Sequence, residues 1–128
     1  MEEWIVYERI KNKIELIESF TGGNMKCVIC FLGEDKNEYT LSFDDVYDFR
    51  YAIETAFIGR DANTTSESSQ NFNSIYIVEE SEYIKKFKHD TCECISTENM
   101  KHFIIFDSID TGIEILTIKE PLFNTGHR

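Results

Sequence analysis

Four cysteines and three histidines are the side chains from which covalent or metal chemistry would have to start. The cysteines form two close pairs, Cys27-x-x-Cys30 and Cys92-x-Cys94, enough thiols for a zinc site. Their setting argues against one. A zinc knuckle needs a tight turn between its cysteines, whereas Val28 and Ile29 continue a β-branched run with no Gly or Pro. In a strand, a separation of three also sends the two thiols to opposite faces. Buried core cysteine is the better reading. His89, Asp90, Cys92 and Cys94 make a second cluster of potential ligands in one short segment. A site of either kind there, metal or catalytic, would need a second segment converging on it.

Catalytic motifs are missing. The chain has no G-x-S-x-G, no H-E-x-x-H and no phosphate loop, and Gly22-Gly23 follows no strand in the manner of a dinucleotide fingerprint. His102 opens an apolar run, where it suits a half-buried structural role as well as a base, and His127 lies in the terminal tail. Asp107, Asp110 and Glu114 lack the alternation and central Gly of a calcium loop. The expectation is therefore a chain without catalytic residue, metal or cofactor.

Charge narrows the partner. The formal net charge is −11 over 128 residues, with −6 from residues 1–64 and −5 from residues 65–128, so it is no acidic tail. A surface of this sign repels nucleic acid and anionic membrane and attracts a basic protein face. The opening Met1-Glu2-Glu3-Trp4 lacks a basic n-region, and the densest apolar run, Cys27–Leu32, is only a strand's length. A cytoplasmic setting with reduced thiols follows as an expectation.

The elements that would position these groups read as an α+β chain. A length of 128 residues suits one domain spanning 1–128. Ile10, Ile14, Ile17 and Phe20 recur at helical spacing ahead of Gly22-Gly23, predicting a helix over 11–20. Trp4–Tyr7 fits helix or strand. Met25–Leu32 is apolar on both faces, as a central strand is, and Tyr39, Leu41 and Phe43 alternate beyond a turn, completing a hairpin. Val46, Phe49, Ile53 and Phe57 share a helical stripe, with Asp44, Asp45 and Asp48 in its first turns. Residues 61–73 read as a mobile polar loop. Ser81 caps a short helix bearing Tyr83, Ile84 and Phe87, and Ile75–Val78, Phe103–Phe106 and Ile113–Ile118 supply further strands. The expected order is α-β-β-α-β-α-β-β, with two to three helices on a mostly antiparallel sheet of about five strands.

Two stretches carry a family likeness: Leu41-Ser42-Phe43-Asp44-Asp45-Val46-Tyr47-Asp48-Phe49-Arg50, and Ser74–Ile84 with His102–Asp107 leading to Ile113–Leu116. They resemble small bacterial immunity proteins encoded beside polymorphic, contact-dependent toxins. The resemblance covers about half of the chain and implies neutralisation by occlusion, without catalysis. Many such toxins are nucleases with cationic sites, which an acidic inhibitor complements. The residues expected to meet a basic toxin domain are Glu34 and Asp35, then Asp44, Asp45 and Asp48, then Glu79, Glu80 and Glu82. Two other readings are a small enzyme or metal-binding domain using His89–Cys94, and an acidic oligomeric adaptor. A second covered sheet face would suit a homodimer.

Overall fold

The computed structural model describes residues 2–53, 74–109 and 111–125. Among them are nine strands and one helix. The strands are β1 (Glu3–Val6), β2 (Ile14–Gly23), β3 (Lys26–Gly33), β4 (Glu38–Phe43), β5 (Val46–Ile53), β6 (Ile75–Glu79), β7 (Lys101–Phe106), β8 (Thr111–Thr117) and β9 (Leu122–Thr125); helix α1 spans Glu82–Asp90. They form two antiparallel sheets, ordered β1-β6-β7-β8-β5 and β2-β3-β4-β9.

The sheets pack face to face. Ile17, Ile29, Phe31, Leu41 and Phe43 from the four-stranded sheet share one core with Ile75, Phe103, Ile105, Ile113 and Ile115 from the other. Phe43 meets Phe103 at 5.4 Å between ring centroids. On the opposite face of the five-stranded sheet, Trp4, Tyr76, Val78, Ile104 and Phe106 form a second cluster. Strand β7 is thus buried on both faces, as its unbroken apolar run requires. Strand β3 lies inside its sheet, but it buries only the Cys27, Ile29 and Phe31 side fully, and Val28 on the other side is exposed.

Two expected helices are strands, and five strands become nine, so the α-β-β-α-β-α-β-β order does not hold. The cause lies in β-bulges. In β2, Ile14 pairs with Gly33, Ile17 with Phe31 and Phe20 with Ile29, with register shifts between Ile14/Leu16 and Ile17/Ser19. Each shift turns a three-residue step along β2 into a two-residue step along β3. Ile14, Ile17 and Phe20 therefore stay on one face at a spacing that imitates a helix. Strand β5 does the same once: Val46 pairs with Thr117 and Phe49 with Ile115, across a shift between Val46 and Asp48.

The irregularities in β2 have fixed partners. Buried Asp107 accepts from Ile17 N at 3.0 Å and also from the backbone N–H groups of Ile109 and Thr111. Ser108 donates its hydroxyl to Glu15 O at 2.8 Å. The turn between β7 and β8 thus holds the bulged stretch of β2 in place. Asp107 is a structural carboxylate.

Other local readings resolve similarly. Trp4–Tyr7 contributes β1, with Trp4 opposite Val78. Ser81 caps α1, accepting from Ile84 N at 3.0 Å. Pro121 precedes a further strand, β9. Residues 61–73 and Phe57 lie outside the described residues.

The β2–β3 hairpin turns at Asn24 and Met25, whose φ values of 53° and 59° are left-handed. Such a turn favours Asn-Gly, and Met25 carries the strain of a side chain there. Met25→Gly is expected to raise stability by roughly 0.5–1 kcal/mol, part of the relief being offset by the greater freedom of glycine in the unfolded chain. Urea unfolding midpoints check it; a lower midpoint would show that the Met25 side chain matters more than its backbone.

Candidate functional site

Helix α1 is short and polar enough to be set by its ends. Ser81 caps Ile84 N, and buried Glu2 accepts from Glu82 N at 2.9 Å and from the Trp4 indole at 3.2 Å. Lys88 and His89 sit in the last turn, where the helix dipole favours cations. The helix therefore starts from the end of β6, joined to β1 through Glu2.

A cleft of about 680 Å³ opens between α1 and β5. Strand β5 supplies Tyr47, Asp48 and Arg50, while Tyr83 and Phe87 line the helix side. The Tyr47 and Phe87 rings meet at 6.4 Å, inclined by 59°. Glu82, Lys86 and Asp90 also line it, with Lys86 and Asp90 paired at 2.6 Å. That pairing holds the Asp90 carboxyl below its usual range.

Behind the cleft runs a buried polar row. Ser81 Oγ lies 2.7 Å from His102 Nδ1, and His102 Nε2 lies 2.7 Å from Glu114 Oε1. Arg50 donates to Glu114 Oε2 at 2.8 Å from the cross-strand position. His102 and Glu114 are fully buried, and Tyr83 packs edge-on against His102 at 5.2 Å. For a neutral imidazole one proton arrangement satisfies every group: Ser81 accepts from Ile84 and donates to Nδ1, and Nε2–H donates to Glu114.

Serine, histidine and glutamate are the members of a nucleophilic triad. Here they are closed to a substrate. Ser81 is only 6% exposed, and its oxygen is already engaged as the helix cap. What the row does in this geometry is fix Arg50 at the cleft wall and anchor α1 to the sheet.

No family model, curated protein or solved structure matches the chain.

Of the eight carboxylates expected at an interface, the cleft brings together two, Asp48 and Glu82. Glu34 and Asp35 sit in the β3–β4 turn, where Asp35 accepts from Asn37 N and from the Tyr39 hydroxyl, which pulls its pKa down. Asp44 and Asp45 begin no helix. They form the β4–β5 turn, where Asp45 has φ 52°. Lys26 meets Asp44 at 2.9 Å, and Lys119 meets Asp45 at 3.0 Å. The Asp44 carboxyl is lowered by Lys26, and Lys119 is raised by Asp45. Glu79 ends β6, opposite Glu3, and Glu80 turns the chain into α1 with φ 56°.

Among the described residues, no three His, Cys, Asp or Glu side chains gather as metal ligands. His89, Asp90, Cys92 and Cys94 are all exposed. No helix among the described residues is long and apolar enough to cross a membrane.

The cysteines differ in environment. Burial pushes the Cys27 thiol from 9.0 up to about 11. Because the folded value is the higher one, this contribution to stability is complete below about pH 9 and is lost as pH rises toward 11. Cys92 and Cys94 are exposed. Iodoacetamide is expected to label those two in the folded protein and Cys27 only on unfolding, with urea midpoints falling between pH 9 and 11. Folded-state labelling of Cys27 at the rate of Cys92 would overturn this placement.

Proposed function

We propose that this chain is a non-catalytic binding protein that neutralises a basic bacterial toxin domain by direct contact, with the β5–α1 cleft at the centre of the contact face. The observation carrying this reading is Asp48. It is exposed within an aromatic-lined concavity and has no ion-pair partner among the described residues, whereas Asp44, Asp45 and Asp90 each meet a lysine. Concave sites with aromatic anchors and a few polar groups are where binding energy concentrates. The net charge of −11 adds long-range attraction for a basic partner. The resemblance to immunity proteins supports the same class.

The test is genetic and then kinetic. The toxin C-terminal region encoded beside this chain is expressed with and without it, and growth rescue with a co-purifying complex is the expected result. Association should slow steeply with added salt, while dissociation changes little. Asp48→Asn/Glu82→Gln should slow association and weaken the complex more than Asp44→Asn/Asp45→Asn. No rescue and no complex would overturn the reading.

Self-association is a second reading with one observation in its favour. On edge strand β5, Phe49, Tyr51 and Ile53 remain 38%, 56% and 59% exposed along one face. Sedimentation at micromolar concentration decides it, because a monomer removes it.

A further inference from the structure

We infer that the β5–α1 cleft is a receptor for a guanidinium group, filled by an arginine side chain of the partner; this rests on the reading of the cleft as the contact face. Four features of the cleft converge on that chemistry.

The first is charge. The cleft holds two cations, Arg50 and Lys86, and both are answered within the chain, Arg50 by buried Glu114 at 2.8 Å and Lys86 by Asp90 at 2.6 Å. Glu82 lies 3.5 Å from Lys85. Asp48 alone among the cleft carboxylates lacks a cation among the described residues, so the concavity presents one open negative charge.

The second is a buried hydroxyl beside Asp48. Tyr83 Oη is buried without a well-aligned hydrogen bond among the described residues. Burial pushes its pKa upward, followed by the charge of Asp48 and a side-chain hydrogen bond to it, so the Asp48 carboxylate stands beside the hydroxyl but is not aligned with it. A buried hydroxyl without a well-aligned partner is unfavourable, and a donor ligand bridging Asp48 and the Tyr83 oxygen reduces that penalty.

The third is the aromatic corner. Tyr47 and Phe87 meet at 6.4 Å and 59° beside these acceptors. Their faces favour a flat, weakly hydrated cation. An ammonium ion is a compact point charge that keeps its water, whereas guanidinium combines planar stacking with several donors. The fourth is rigidity. Asp48 and Arg50 flank Phe49 on paired strand β5, while Tyr83 packs on the buried His102, so the acceptors are held before the ligand arrives.

The experiment needs no toxin. Amide NMR titrations of the full chain use N-acetyl-arginine amide, N-acetyl-lysine amide and agmatine as probes. Arginine amide is expected to shift the β5 and α1 signals around Tyr47, Asp48 and Tyr83, and to bind at least about ten-fold more tightly than lysine amide. Asp48→Asn should weaken it about ten-fold, and Tyr83→Phe, which keeps the ring, by a few-fold. Glu79→Gln, equal to Asp48→Asn in charge change but outside the cleft, should leave it unchanged. Agmatine bound far more tightly than arginine amide would assign the site to a free metabolite and overturn the partner side-chain assignment. Equal binding of lysine amide, shifts elsewhere, or no binding would overturn the guanidinium receptor. Toxin neutralisation that persists in those cases would leave the broader function standing. Arginine binding without any toxin complex would remove that function and keep the receptor.

Discussion

Replacing Glu114 with alanine is expected to destabilise the fold by about 3–5 kcal/mol, the range for removing one partner from a buried charged network. Glu114 is fully buried and takes His102 Nε2 at 2.7 Å and Arg50 at 2.8 Å. Without it, the imidazole N–H faces no acceptor inside the sheet, and the row from Ser81 to Arg50 is cut in the middle. Arg50 is half exposed and can turn to water, so most of the loss arises at His102 and in the space left behind. Glu114→Gln should lose less, roughly 1–3 kcal/mol. It keeps an acceptor for His102 but turns an amide N–H₂ toward the guanidinium. Both variants are measured by denaturant unfolding. A loss below about 1 kcal/mol for the alanine variant would show that the row is incidental to stability.

Part of the fold was legible because alternation is a strong signal where strands are regular. Tyr39, Leu41 and Phe43 alternate and do form β4, paired with β3 from Cys27↔Phe43 to Leu32↔Glu38. Ser81, a good capping residue before a short amphipathic stretch, does start the helix. The reading failed where a bulge changes the period. Ile14, Ile17 and Phe20 stand three apart because two register shifts absorb the odd residues. Nothing local separates that from a helix, since the bulged stretch of β2 is held by Asp107 and Ser108, some ninety residues away. One signal was available: Gly22-Gly23-Asn24 is hairpin chemistry as much as a helix stop, and the chain uses it to turn from β2 to β3.

The site was less legible for a related reason. Asp48 and Glu82 were singled out for local crowding of charge, while the cleft that joins them depends on α1 standing beside β5. Glu114 did carry a signal. It interrupts Ile113-Glu114-Ile115-Leu116, and a lone carboxylate inside a strand buried on both faces needs a partner. Its partners Arg50 and His102 lie 64 and 12 residues away, a pairing that only the strand register supplies.

Phe106→Ala is expected to lose about 3–5 kcal/mol, and Phe49→Ala only about 1–2 kcal/mol, although the sequence alone ranks them together as core residues. Phe106 is fully buried, with its ring 5.9 Å from Trp4 and 6.2 Å from Tyr76. Truncation removes the anchor of that aromatic cluster and leaves a void between strands that cannot close on it. Phe49 is 38% exposed on edge strand β5. Its ring packs on Phe20 at 5.2 Å and over Gly22, but one side faces water, so no sealed cavity forms when it is cut back. The difference is set by the sheet edge: the bulge in β5 keeps Phe49 on the same face as buried Val46, but on an edge strand its ring is covered from one side only. Urea unfolding of the two variants under the same conditions measures it. Equal losses near the upper value would place Phe49 in the interior and contradict the position of β5 at the sheet edge; a loss for Phe106 below about 1 kcal/mol would contradict the second core.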